Sequence, residues 1–276
     1  MSVPQRPQIG SLPLSFGYYP EKTAVWRKVQ RSGLEYRSLG LAGASHGLLD
    51  AQIVRAEKAG SRKGWSTDDQ EFNYLQVMAG TLTLQKASGE RVTLEVGDTL
   101  VQPARAFDPD VYEYSDGFEA LEFSSNGSFE HIDRFRAALG LPESGDAPAE
   151  AIVTRDTPDT YITGDGPRSF FTYRDLGATE STGRRMHIHV VGIADRPPGG
   201  TGWHVHNMDQ FFMPFTGWLD IWVEGLGLVK MERGDAMFIP AGIRHNVTDF
   251  TLDYTVVEVC IPTDYTTSGA TDPELD

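Results

Sequence analysis

The sequence predicts an all-β protein: two β-barrels in tandem, joined by a short helix and a linker. Three observations carry that expectation. Landmarks recur at an offset of about 137 residues: Tyr36-Arg37 with Tyr173-Arg174, Gly64-Trp65 with Gly202-Trp203, Gly80 with Gly217, and Gly97-Asp98 through Pro103 with Gly234-Asp235 through Pro240. Self-similarity at a fixed period marks a duplicated unit. Runs such as 81–85, 91–94, 219–223 and 254–261 are short, β-rich and bounded by Gly, Pro or Asp, the pattern of short strands. Finally, residues 204–245 carry three histidines and a glutamine at metal-ligand spacing. These can converge on one ion when the strands close or roll up into a barrel.

Helical periodicity is clearest at 129–139, where Phe129, Ile132, Phe135, Arg136 and Leu139 form a stripe stopped by Gly140. Residues 141–150 are polar, with Pro142, Gly145 and Pro148, and read as a linker. The expected division is therefore 1–128 for an N-terminal barrel with its arm, 129–150 for helix and linker, and 151–276 for a C-terminal barrel. The ends, 1–25 and 263–276, read as arms or frayed tails.

Composition narrows the function classes. A net charge of −15 over 276 residues argues against nucleic acid and anionic membrane surfaces as partners. A small-molecule substrate is expected instead. No apolar run reaches membrane-spanning length. Residues 1–20 lack a charged start followed by an apolar core, so no signal peptide is read and a cytoplasmic setting is expected. The single cysteine, Cys260, excludes an internal disulfide and sits in an apolar run, where it reads as a small buried hydrophobe.

The second half holds the chemistry. His204 and His206 are two apart and share a strand face; Gln210 keeps their parity. His245 follows the turn Pro240-Ala241-Gly242 and must come from another strand. Imidazoles in this pattern suit a borderline divalent ion: Fe²⁺, Mn²⁺, Ni²⁺, Cu²⁺, Co²⁺ or Zn²⁺. Three neutral histidines and a neutral amide leave the full charge on the ion, which favours anionic substrates and lowers the pKa of bound water.

These residues resemble the double motif of the cupin superfamily, Gly-x5-His-x-His-x3-Glu-x6-Gly followed by Gly-x5-Pro-x-Gly-x2-His. Gly199 and Gly200 lie near the first glycine's place, Gln210 stands where the acid is usual, and Gly217 follows at the family spacing. Gly234, Pro240, Gly242 and His245 match the second half fully. With the repeat, the chain is similar to bicupins, whose fold is a pair of double-stranded β-helix (jelly-roll) barrels. The resemblance implies one divalent metal per chain at His204, His206, His245 and Gln210. It also implies arms packed on a partner domain or subunit, and a homodimer.

In the first half, Ser66, Asp68, Asn73 and Asp108 stand at the ligand positions. No histidine remains there, and a metal site lost from this barrel is expected. A second His-x-His, His187 and His189, faces Leu49 and Ala51 of the repeat. It reads as a pair of buried strand histidines that look into the barrel, and His189 is carried forward as a catalytic candidate behind the ligands. Glu258, in an apolar strand, is the second: a pocket base of raised pKa or half of an ion pair. Asp209 points to the opposite face from Gln210. Phe212 shares the parity of Gln210 and is the leading substrate-contact candidate. Trp222, among the other aromatics, and Arg244, beside His245, complete that set. The remaining aromatics read as packing or interface.

Three functions remain in order. The first is a dioxygenase, in which Fe²⁺ binds an enol, keto-acid or aromatic substrate together with oxygen. The second is a non-redox isomerase, decarboxylase or lyase of a keto acid or sugar-derived acid, with Glu258 or an extra histidine as base. The third is a non-catalytic small-molecule binder.

Overall fold

In the strand Trp218–Val223, Leu219, Ile221 and Val223 are buried and the residues between them are half-buried, the period-two pattern of a sheet with one wetter face. The strand Asp209–Thr216 differs: seven of its eight residues are buried, so both of its faces are packed. A computed structural model, which describes residues 14–28, 33–65, 70–85, 89–103, 111–148, 150–163, 168–195 and 200–274, shows why.

The described residues form an all-β architecture of two barrels. In the first, a seven-stranded sheet runs in the order Ile152–Thr154, Thr99–Pro103, Phe72–Ala79, Phe118–Ser125, Leu49–Ala56, Leu34–Ser38, Arg27–Lys28. A four-stranded sheet accompanies it: Gly60–Arg62, Val111–Tyr114, Leu82–Gln85, Arg91–Leu94. In the second, the seven strands are Gly17–Tyr19, Ala236–Ile239, Asp209–Thr216, Thr255–Ile261, His187–Ile193, Phe171–Asp175 and Ile162–Thr163. Its shorter sheet has five: Gly227–Glu232, Trp218–Val223, His245–Phe250, His204–His206 and Thr267–Gly269.

The two long sheets have the same strand order under the repeat. Each takes its first strand from the other half: Ile152–Thr154 pairs with Thr99–Pro103, and Gly17–Tyr19 pairs with Ala236–Ile239. The exchange covers an edge that each barrel would otherwise leave open. The N-terminal arm thus packs on the partner barrel as a strand. The 263–276 tail, read as an arm or a frayed end, supplies the strand Thr267–Gly269, which pairs with His204–His206.

One hydrophobic core is shared by the two long sheets, with Leu121 and Phe123 from one and Phe211, Met213, Phe238 and Val257 from the other. The Phe123 and Phe211 rings lie 6.0 Å apart. This explains the double burial of Asp209–Thr216: odd-numbered residues from Phe211 to Phe215 face the other barrel, and Phe212 joins the second barrel's own core. Two of the repeat's landmarks meet across the same boundary. Arg37 donates to the Gly234 carbonyl, and Arg174 Nη1 donates to the Gly97 carbonyl at 3.0 Å. Beside them, Asp235 accepts from the Glu21 N–H at 2.6 Å and Asp98 from the Asp156 N–H at 2.8 Å. Gly97 has φ +90, and a Cβ there would fall 1.9 Å from Asp156 Oδ2, so this corner needs glycine.

The expected helix is present as Phe129–Ala138. Its first N–H donates to Glu71 Oε2 at 3.0 Å, which suits the positive end of a helix, and Gly140 follows with φ +69. Arg136, part of the stripe, is 1% exposed. Its guanidinium donates to the carbonyls of Arg184, Thr263 and Pro142 at 2.6, 3.1 and 2.9 Å. The helix is therefore held to the second barrel by hydrogen bonds as well as by apolar packing. Among the described residues, no helix is long and apolar enough to cross a membrane.

Candidate metal centre

His204 and His206 lie on the same face of one short strand, and His204 pairs directly with His245 on the next. Gln210 comes from the facing long sheet. The turn before His245 is held to this strand pair: the Gly242 N–H donates to the His206 carbonyl at 2.8 Å, and the Ala241 N–H donates to Asp209 Oδ1 at 2.9 Å. Asp209 therefore braces the turn from outside the cavity.

The three imidazoles converge, with one ring nitrogen of each within 4.8 Å of the others. Their Nδ1 atoms are already engaged: with the Gly202 carbonyl at 2.8 Å, with the Ile243 carbonyl at 3.1 Å, and with Thr267 Oγ1 at 2.9 Å for His204, His245 and His206 respectively. Two carbonyl acceptors require Nδ1–H, which leaves Nε2 as the free lone pair on those rings. Burial lowers the pKa of all three, of His206 to about 4 and of His245 well below its ordinary value. The rings are therefore neutral at pH 7, the form that ligates.

Gln210 supplies the second test of fit. Its Nε2 donates to Glu258 Oε1, while its Oε1 is buried with no hydrogen-bond partner. A buried amide oxygen left without a partner is unfavourable, and coordination to a cation would satisfy it. Three converging neutral imidazoles, two of them presenting Nε2, and an unpartnered amide oxygen fit a divalent transition ion.

Glu258 lines the same cavity and changes its electrostatics. Burial works to raise its pKa; the hydrogen bond and charge of His189, with His206 and Gln210, more than offset that and hold it at about 2. Glu258 is thus not the raised-pKa base considered from sequence but an ionised carboxylate paired with His189. The charge missing from Gln210 is present one hydrogen bond further out. His189 lies outside the metal cavity, behind Glu258: its Nε2 meets Glu258 Oε2 at 2.6 Å, its Nδ1 meets His187 Nε2 at 2.9 Å, and His187 Nδ1 meets Thr179 Oγ1 at 2.8 Å. An open cavity of ≈ 900 Å³, lined in part by His187, His189 and Thr179, adjoins the metal cavity and shares Tyr173, Tyr265 and Thr267 with it. His189, Glu258 and Cys260 also cluster, but both carboxylate oxygens are engaged and burial raises the Cys260 pKa well above its usual value, so the thiolate a metal needs is disfavoured.

Of the expected substrate contacts, Phe212 lines the metal cavity and Trp222 and Arg244 do not. Trp222 alternates with the inward Ile221 and Val223 and so points away from the barrel interior. Arg244 is turned onto Glu224, 3.0 Å away. Residues with no motif signal complete the wall: Arg168, Tyr254, Tyr265 and Thr267. The Tyr265 ring stands perpendicular to His206 at 5.8 Å.

The other barrel serves as an internal control. Strand register equates Gln52 with His189, Asp50 with His187 and Glu122 with Glu258, because Gln52 pairs with Glu122 as His189 pairs with Glu258. The sequence alignment to Leu49 and Ala51 is thus one residue out of register. Gln52 Nε2 donates to Glu122 Oε2 at 2.7 Å. With an amide instead of an imidazole, burial prevails and Glu122 is pushed up to about 7. Asn73, at the place of Gln210, is 1% exposed with both amide atoms unpartnered. Ser66, Asp68 and Asp108 lie outside the described residues.

Because the folded pKa of Glu122 exceeds its unfolded value, its favourable contribution is complete below about pH 4.5 and is lost as pH rises through about 7. Glu122→Gln, which keeps an acceptor for Gln52, is expected to stabilise the protein at pH 8 by about 1–3 kcal/mol and to change little at pH 4.5. Denaturant melts at the two pH values check this; an equal difference at both would refute it.

No family model matches the chain, and no curated protein sequence matches it. Solved structures do. Protein Ylba from E. coli (family model DUF861) aligns over 91% of this chain and 92% of its own, with 13% identity and a TM-score of 0.65. A putative glyoxylate induced protein from Pseudomonas aeruginosa aligns over 90% and 86%, with 14% identity and a TM-score of 0.61. A point mutant of Bacillus subtilis oxalate decarboxylase aligns over 91% and 78%, with 14% identity and a TM-score of 0.56. At such identities the likeness is one of fold: the chain has the fold of these structures, two jelly-roll barrels of the cupin type in tandem.

Proposed function

We propose that the chain is a metal-dependent enzyme that converts a small oxygenated substrate without oxidising it, by cleavage or isomerisation in which a substrate carbon is protonated. The observation that carries this reading is the hydrogen-bonded chain Thr179–His187–His189–Glu258 leading to the metal cavity. A divalent ion held by His204, His206 and His245 would supply Lewis acidity for negative charge on a substrate oxygen. Glu258 presents its carboxylate at the cavity wall. With His189 neutral and its Nε2–H donating to Glu258, His189 Nδ1 accepts from His187 Nε2–H and His187 Nδ1 accepts from Thr179 Oγ1–H. In that arrangement every donor points inward, which suits delivery of a proton to Glu258 Oε2. Gln210 holds the other oxygen of Glu258 and keeps the carboxylate against the wall.

The similarity to oxalate decarboxylase, described as carrying Mn(II) centres, supports the same reading. Three histidine ligands with open positions favour the competing dioxygenase reading with Fe²⁺. The two separate in one experiment. Protein loaded with Mn²⁺ or Fe²⁺ is screened against keto and hydroxy compounds, acids and esters alike, in D₂O under strict anaerobiosis. Turnover without oxygen and one solvent deuterium on a product carbon are expected. Turnover only with oxygen, with oxygen consumed in proportion to product, would establish the dioxygenase instead.

A further inference from the structure

We propose that Arg168 is the carboxylate anchor of the metal cavity, and that the substrate is a small carboxylic acid. The inference deepens the metal-enzyme reading above and rests on it for the identity of the site. Arg168 lies just before the strand Phe171–Asp175, is half-buried, and lines the cavity that holds His204, His206, His245 and Gln210. Among the described residues its guanidinium has no ion-pair partner. Arg244, the arginine expected from sequence, does not line the cavity and pairs with Glu224.

Charge and size narrow the ligand. Among the described residues Glu258 is the one carboxylate lining the cavity, and its oxygens are taken by His189 and Gln210. One guanidinium, one carboxylate and neutral groups therefore surround the site; a divalent ion would bring the set to a net charge of about +2, which favours an anion. A planar guanidinium with no protein carboxylate to meet is matched by a ligand carboxylate held in a two-bond fork. The cavity measures ≈ 90 Å³. At about 10–15 Å³ for each water-sized group, it takes roughly six to nine non-hydrogen atoms. The apolar walls, Phe171, Phe212 and Ile221 among them, leave little beyond Arg168 and the metal ligands to hold a second charged group.

The test uses full-length protein, Mn²⁺-loaded and metal-free, with glycolate and pyruvate as probes and glycolamide and pyruvamide as uncharged counterparts. Binding is read by calorimetry and by thermal shift, and bound metal is counted in every sample. Wild type is expected to bind the acids and not the amides. Arg168→Met is expected to bind the acids at least about 30-fold more weakly with unchanged metal content, and Arg168→Lys to fall between. Equal binding by Arg168→Met, binding of the amides as tight as that of the acids, or no binding of any acid would overturn the proposal while leaving the metal centre intact. If wild type takes up no metal, the metal-enzyme reading fails separately. The metal-free arm then decides on Arg168: a thermal shift from acids that Arg168→Met abolishes supports the anchor, and a shift it retains, or none in wild type, refutes it.

Discussion

Replacing His245 by alanine is expected to weaken divalent metal binding by more than about 100-fold and to abolish turnover. His245 is 3% exposed and pairs with His204 at the centre of the ligand set. Its loss removes one of three imidazoles whose orientation the Gly202 and Ile243 carbonyls and Thr267 fix. Mutating a group that only orients a ligand typically costs 10- to 100-fold in metal affinity, so losing a ligand itself should cost more. Thr267→Val, which removes only the partner of His206, provides that scale and is expected to fall within about 10- to 100-fold. Competition titration against a chelating dye measures both. Metal affinity of His245→Ala equal to that of Thr267→Val would show that His245 is not a ligand.

Glu258→Gln is expected to lower turnover by about 10²–10⁴-fold, the range for loss of a positioned proton-transfer group, with metal content unchanged. The substitution keeps the shape of the residue but removes the charge that answers His189 and Gln210. His189→Gln tests the same chain one step back. It reproduces the Gln52–Glu122 pair of the other barrel, where burial prevails over the partner. A smaller loss is expected there, because Glu258 remains at the wall. A Glu258→Gln protein that turns over within tenfold of wild type would show that proton delivery does not pass through this carboxylate.

Much of the frame is legible in the sequence because it rests on local rules. Strand parity places His204, His206 and Gln210 on a common interior, separates Phe212 from Phe211, and turns Asp209 outward. The duplicated landmarks identify two units, and two of them serve a purpose the sequence does not state. Arg37 and Gly234, and Arg174 and Gly97, are among the contacts that join the barrels. Such a pairing becomes visible only when the two long sheets are face to face.

What the sequence conceals comes from distant chain segments or from register. Thr267 and Tyr265 belong to a polar tail with no strand signal, yet the tail completes the short sheet beside His206. Arg168 precedes a strand and matches no motif. A one-residue offset in aligning the repeats pairs His189 with Ala51 rather than Gln52, and with it hides the contrast between Glu122 and Glu258. A shift of one residue moves a strand's side chains to its other face, so the offset turns a polar position into an apolar one. Trp222 is attractive for its chemistry and Arg244 for its nearness to His245 along the chain, but strand alternation directs the first away from the cavity and a nearby glutamate the second.

One metal centre per chain, formed by the C-terminal barrel, is the expected stoichiometry. Native mass spectrometry of protein purified without chelators or added metal, with elemental analysis of the same sample, tests it most directly. One equivalent of a divalent transition metal per chain, absent from His245→Ala, is the predicted result. No metal, two equivalents per chain, or one that survives His245→Ala would contradict it.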